Sequence, residues 1–210
     1  MFRIRAGRFV TLSFIEVTFL IQLLVHIMAT YETFDQDVEV NGQTILAVVK
    51  EAMGRFSDEY QERAVQALAA EGVTDPEPEE WYPQQTWLTA FETIAEELQP
   101  HVLDRLGEQI PEVATWPNNF ETVSEGLQSI DDAYQENHRG GEIGYYEFEQ
   151  TGERTGELTC YNPYPCSFDR GLIRGVARQY ASVDAFVFIE ETGDTCRRSG
   201  DDTCTYTVYW

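Results

Sequence analysis

Lysine is almost missing from this 210-residue chain: Lys50 is the only one, and the rest of its 14 basic residues are arginines, set against 37 acidic ones. At a formal charge of −23 nothing here neutralises phosphates, so nucleic acid is not an expected partner. Histidine is scarce as well. His26, His101 and His138 stand far apart, which leaves no histidine-rich metal set and no paired imidazoles for catalysis. The chain has no nucleophile elbow, P-loop, His-Glu-x-x-His or Gly-x-Gly-x-x-Gly, which removes the sequence grounds for the hydrolases, nucleotide enzymes and dehydrogenases that carry them. Acid pairs such as Glu190-Glu191 and Asp201-Asp202 read as solvated surface against so acidic a background, and an enzymatic role is not the first expectation.

What is present is an aromatic content of 13%, which excludes the disorder that high net charge otherwise suggests. An acid-rich, lysine-poor chain with ordinary aromatics has the composition of a halophilic protein, soluble at molar salt, where the Debye length is about 3 Å. A specific acidic docking face is the other reading. The length fits one domain with a real core.

The N-terminus differs in character from the rest of the chain. Arg3, Arg5 and Arg8 precede an apolar run from Phe9 to Met28 that contains Glu16. Three readings are open: a start assigned upstream of Met28, a membrane anchor through residues 9–28, or a signal peptide. A charge at the centre of a span costs about 2.5–3.5 kcal/mol, which puts the upstream start first. Residues 1–29 are therefore taken as a leader and 30–210 as one ligand-binding domain, cytoplasmic unless the leader is a true anchor.

From Thr44 the pattern is helical, with Ile45, Val48, Val49, Ala52, Met53 and Phe56 on one face. Asp58–Ala70 reads as a second helix stopped near Gly72, and Thr74–Pro83, with three prolines, as a loop. Trp87, Phe91, Ile94 and Leu98 mark a third helix ended by Pro100, followed by a short one around Val102–Leu106. Asn118 or Asn119 caps a further helix through Leu127 and Tyr134 to Gly140-Gly141. The period then changes to two. Ile143–Gln150, Thr155–Tyr161, Ala185–Glu190 and Thr205–Trp210 read as strands, with a helix over Phe168–Tyr180. The class is α+β: a helical N-terminal half, then strand-strand-helix-strand-strand with an antiparallel sheet.

The cysteines come as two close pairs, Cys160 with Cys166 and Cys196 with Cys204. Soft thiolates on loops a few residues long suit tetrahedral zinc. Two local disulfides and four buried free thiols are the other readings, the first favoured only in an oxidising compartment.

The run Pro165-Cys166-Ser167-Phe168-Asp169-Arg170-Gly171-Leu172-Ile173-Arg174-Gly175, followed by Cys196-x7-Cys204 with a glycine in the loop, resembles the 4-vinyl reductase domain. That family occurs in bacteriochlorophyll-pathway proteins and in the sensor modules of aromatic-responsive transcription activators. Its fold is related to the haem–nitric oxide binding (H-NOX) domain and to a class of vesicle-tethering subunits. The resemblance covers roughly 140–210 and implies zinc on Cys166, Cys196 and Cys204. The family's fourth ligand, a glutamate, falls here on Gly193, so Cys160 is taken as the fourth, with Glu191 and Asp194 as rivals. Haem is not expected. The H-NOX relatives need a histidine within the helix, where this chain has Leu127-Gln128-Ser129, and a Tyr-x-Ser-x-Arg motif, where it reads Tyr161-Asn162-Pro163-Tyr164-Pro165.

The first expectation is thus a sensory domain with a structural zinc site, binding a small apolar molecule between helices and sheet. Trp87, Phe91, Trp116, Phe120 and Tyr134 are the candidate pocket residues, although aromatics at helical spacing also make ordinary core. A haem-based gas sensor, a tetrapyrrole vinyl-reductase-like enzyme and a ligand-free scaffold are the alternatives. A homodimer or a signalling protein is the partner such a sensor needs.

Overall fold

The computed structural model describes residues 30–98, 100–114, 116 and 120–210. The leader and the Asn118 or Asn119 cap lie outside these. Among the described residues no helix is long and apolar enough to cross a membrane.

Strand β1, Glu39–Asn41, opens the fold, and Asn41 caps the next helix by accepting from Thr44 N at 2.9 Å. Helix α1, Gly42–Leu46, widens directly into a π-helical segment, Ala47–Ala52. Its apolar stripe is the one the sequence marks: Ile45, Val48, Val49, Ala52 and Met53 are buried. Helix α2, Asp58–Ala70, starts on the Ser57 side chain and stops at Gly72, whose φ of 90° suits only glycine well. Strand β2, Trp81–Pro83, and helix α3, Gln84–Glu97, come next. Pro100 begins a helix rather than ending one: α4 runs Pro100–Val113, with proline at the first position, where its missing N–H costs nothing. Helix α5, Val123–Asn137, is capped by a reciprocal Thr122–Glu125 box and leads into β3, His138–Arg139.

Strands β4 (Tyr145–Gly152), β5 (Thr155–Tyr161), β6 (Phe188–Glu191) and β7 (Cys204–Tyr209) form a sheet in the order β4-β5-β7-β6, each pairing antiparallel. Helix α6, Cys166–Tyr180, crosses between β5 and β6. A second sheet, β2-β1-β3, is absent from the sequence reading because strands of three, three and two residues carry no alternation to detect. The mixed helix-and-antiparallel-sheet class is as expected.

Helices α4 and α6 touch backbone to backbone. A methyl group at Gly107, Gly171 or Gly175 would run into the carbonyls of Phe168, Asp104 or Glu108. That closeness lets the buried Asp104 carboxylate accept from both Arg170 and Arg174, while Glu108 accepts from Arg178. The core is one cluster in which Leu158, Tyr206 and Val208 of the sheet meet Leu127, Ile130, Ile173 and Val176 of α5 and α6. Phe186, Phe188 and Tyr209 stand exposed beside the open edge at β6, with Phe186 and Phe188 stacked.

Candidate metal centre and interior cavity

Three chain segments bring three sulfurs together. Cys166 is the first residue of α6, Cys196 precedes a 3-10 turn at Arg197–Ser199, and Cys204 begins β7. Gly200, at φ 91°, turns the loop back so that the last two can meet. Cys166 Sγ lies 3.3 Å from Cys204 Sγ, which lies 3.8 Å from Cys196 Sγ, and all three fall within 4.8 Å of one another. Tetrahedral zinc with Zn–S near 2.3 Å sets sulfurs about 3.8 Å apart, so the cluster is of the size a metal needs. Backbone amides hold the loop: Arg197 N–H donates to Cys204 Sγ at 3.3 Å, and Asp201 accepts from Cys196 N at 2.9 Å. Asp201, read from sequence as solvated surface, has this local task.

Cys160 does not join the group. It is buried on β5 directly opposite Cys204 in register, and burial pushes its thiol up. Glu191, at the end of β6, is paired with Arg198 at 3.5 Å beside the loop that carries Cys196. Burial raises the Cys196 thiol first, and the nearby Glu191 carboxylate raises it further. Asp194 is exposed. Cys204 is pushed down to about 5, first by the Cys166 thiol that donates to it and then, against burial, by the Arg197 guanidinium. The cluster therefore already favours a thiolate, the form that binds metal.

Arg197 is the residue that sequence reasoning missed most clearly. It is wholly buried and donates to the Asn162 side chain at 2.6 Å, to Tyr164 O at 2.9 Å and to the equally buried Asp169. Asp169 also accepts from Tyr146 Oη at 2.7 Å. Burial raises the Asp169 carboxyl, and Arg197 opposes it. The available signal was an aspartate on the apolar face of α6, between Phe168 and Leu172.

Tyr146 leads to the second feature, an interior cavity of about 70 Å³ walled by α1, the π-helical segment, α3, α4, α5 and α6. Of the candidate pocket residues, Trp87, Trp116 and Tyr134 line it. Phe91 stacks behind Trp87 with centroids 5.1 Å apart, and Phe120 packs edge-on against Tyr180, so both are structural aromatics. His138, at the end of α5, also lines the cavity. Its Nδ1 lies 2.8 Å from Tyr134 O, which can only accept, and its Nε2 lies 2.8 Å from the Tyr164 hydroxyl. Burial lowers its pKa to about 4, so near neutral pH the ring is uncharged, with Nδ1 the donor and Nε2 the acceptor from Tyr164.

No family model and no curated protein matches this chain. Solved structures do. An H-NOX protein from S. oneidensis in the Fe(II) state is 15% identical, with a TM-score of 0.59, over 80% of this chain and 95% of that one. A T. tengcongensis H-NOX variant is 12% identical, with a TM-score of 0.58, over 80% and 96%. A structure that probes haem distortion in the H-NOX family is 13% identical, with a TM-score of 0.61, over 81% and 94%. The fold is therefore H-NOX-like.

Proposed function

We propose that this chain is a small-molecule-binding sensory domain on the H-NOX fold, with a structural zinc centre at Cys166, Cys196 and Cys204. The observation that carries the reading is their convergence: residues thirty and eight positions apart bring soft donors within 4.8 Å, in the same domain as a mainly apolar cavity. Zinc there would tie the start of α6 to β7 and to the loop before it, bracing the sheet side of the core. We take Glu191 as the fourth donor for its proximity to Cys196, whose thiol it raises; neither Glu191 nor Cys160 falls within the three-sulfur group itself. The same cysteine spacing supports kinship with the 4-vinyl reductase domain.

The likeness to haem-binding structures favours a second reading, the haem-based gas sensor. The interior residues do not fit that group. The cavity is far below the roughly 300–1,000 Å³ of ordinary cofactor and ligand pockets. No arginine or lysine lines it to meet propionates, and both nitrogens of His138 are engaged. Native mass spectrometry and absorption spectroscopy of protein purified without chelators decide between the two. One zinc per chain and no Soret band is the expected result. A stoichiometric Soret band that shifts with nitric oxide would replace this reading with gas sensing.

A further inference from the structure

The three sulfurs stand in a triangle that has no fourth corner. Among the described residues only Cys166, Cys196 and Cys204 bring ligand atoms within 4.8 Å of one another. Cys160 sits opposite Cys204 in the sheet register but outside the group, and Glu191 is paired with Arg198 at 3.5 Å. Cys166 Sγ to Cys204 Sγ is 3.3 Å, and Cys204 Sγ to Cys196 Sγ is 3.8 Å. Tetrahedral zinc sets every such side at about 3.8 Å, so one side is already tighter than the tetrahedron asks. A planar three-coordinate ion would spread the sulfurs wider still. A drawn-in triangle suits a pyramidal centre, whose bond angles fall below the tetrahedral value because a lone pair takes the fourth place.

Charge points the same way. Cys166 and Cys204 are buried, where a net charge is costly. Three thiolates around a divalent ion leave one negative charge over, in a chain already at −23; around a trivalent centre they leave none. Arg197 is not free to offset the excess, since its guanidinium is held by Asn162, Tyr164 O and Asp169. The way in favours a neutral reagent as well. Cys196 is only half-buried, and Cys166 lines a surface pocket of about 300 Å³ with Tyr31, Glu92, Glu96 and Arg198. So acidic a surface turns oxyanions away and leaves an uncharged hydroxide unhindered.

We infer that the three sulfurs form a site for trivalent arsenic, which arrives as neutral arsenous acid. The inference shares its sulfurs with the zinc reading but does not depend on zinc. Three As–O bonds break and three As–S bonds form. Each thiol proton leaves with a hydroxide as water, and arsenic stays trivalent. Where zinc is already bound, three protons from solvent take the hydroxides away as water and one zinc ion departs. Zinc uses Glu191 as its fourth donor, whereas arsenic leaves that carboxylate with Arg198. The two states therefore differ at the end of β6, a difference that a sensory domain can transmit.

The test is native mass spectrometry of the full chain, as purified with its zinc, titrated with sodium arsenite in thiol-free buffer while a chromogenic chelator reads released zinc. The expected product saturates at one arsenic per chain, weighs one arsenic less three hydrogens more than the metal-free reduced chain, and releases one zinc. An adduct that keeps a hydroxyl would mean that only two sulfurs bind, which overturns the three-donor site. Glu191→Gln and Cys160→Ser are expected to form the same adduct as the wild type, and Cys196→Ser to lose it. Its survival in Cys196→Ser, or its loss in Cys160→Ser, would put Cys160 in the site and overturn the assignment. Zinc held with no arsenic uptake would sink this inference and leave the zinc centre standing. Arsenic bound with no zinc to release would do the reverse, and binding of neither would remove both. Should Cys196→Ser fail to fold, the number of hydrogens displaced in the wild type still decides.

Discussion

Cys204 shows how much of a site rests on single side chains: it meets Cys166, Cys196 and the amide of Arg197 at once. Cys204→Ser is expected to abolish bound zinc. Glu191→Gln should lower zinc occupancy, while Cys160→Ser and Asp194→Asn should keep it; metal analysis beside thermal melts reads all four. Zinc lost in Cys160→Ser and retained in Glu191→Gln would restore the four-thiolate arrangement. His138 gives a pH dependence with a definite sign. Its pKa falls from 6.5 unfolded to about 4 folded, so the unfolded chain binds the extra proton in between. The stability it contributes is present above about pH 6.5 and is lost as pH falls toward 4, about 3 kcal/mol in all. Denaturant melts at stepped pH should show a slope that His138→Gln flattens; an unchanged slope would mean the ring is not buried neutral. Cysteine spacing made the thiol cluster legible in the sequence. The burial of Arg197 was not, because nothing local separates it from the exposed Arg198 next to it.

Elements were legible where one face is buried over several turns. Helix α2 has the bounds Asp58–Ala70 that its pattern suggests, and β5 has Thr155–Tyr161. The π-helical segment keeps the same apolar stripe as an α-helix, so spacing alone does not reveal it. Pro100 reads as a stop and acts as a start, since proline marks a boundary without saying on which side the helix lies. The α4–α6 contact offers the sharpest test at this scale. Gly171→Ala sets a methyl group against the Asp104 carbonyl, with no flexible side chain to yield, and is expected to destabilise by about 1–3 kcal/mol or more. Thr122→Ala, which removes only the α5 cap, should cost about 1 kcal/mol. Equal, near-zero losses in urea melts would mean that α4 and α6 do not touch as described.

For the whole molecule the governing quantity is charge. We read −23 with a single lysine as salt adaptation, so the melting temperature should climb through the first molar of potassium chloride as repulsion is screened. A melting temperature that does not depend on salt would reject it. The open edge at β6 then acquires a meaning in terms of shelf life. At molar salt a charge is felt for about 3 Å, less than the roughly 4.8 Å between paired strands, so distant carboxylates cannot keep a second copy away. Only charges standing on the strand itself can, and Glu190 stands there beside exposed Phe186, Phe188 and Tyr209. Removing the Glu190 charge by substitution leaves the aromatic surface at that edge unguarded. At molar salt, Glu190→Gln should therefore cloud by edge-to-edge pairing while the fold is still intact, and adding Phe186→Ser should keep it clear.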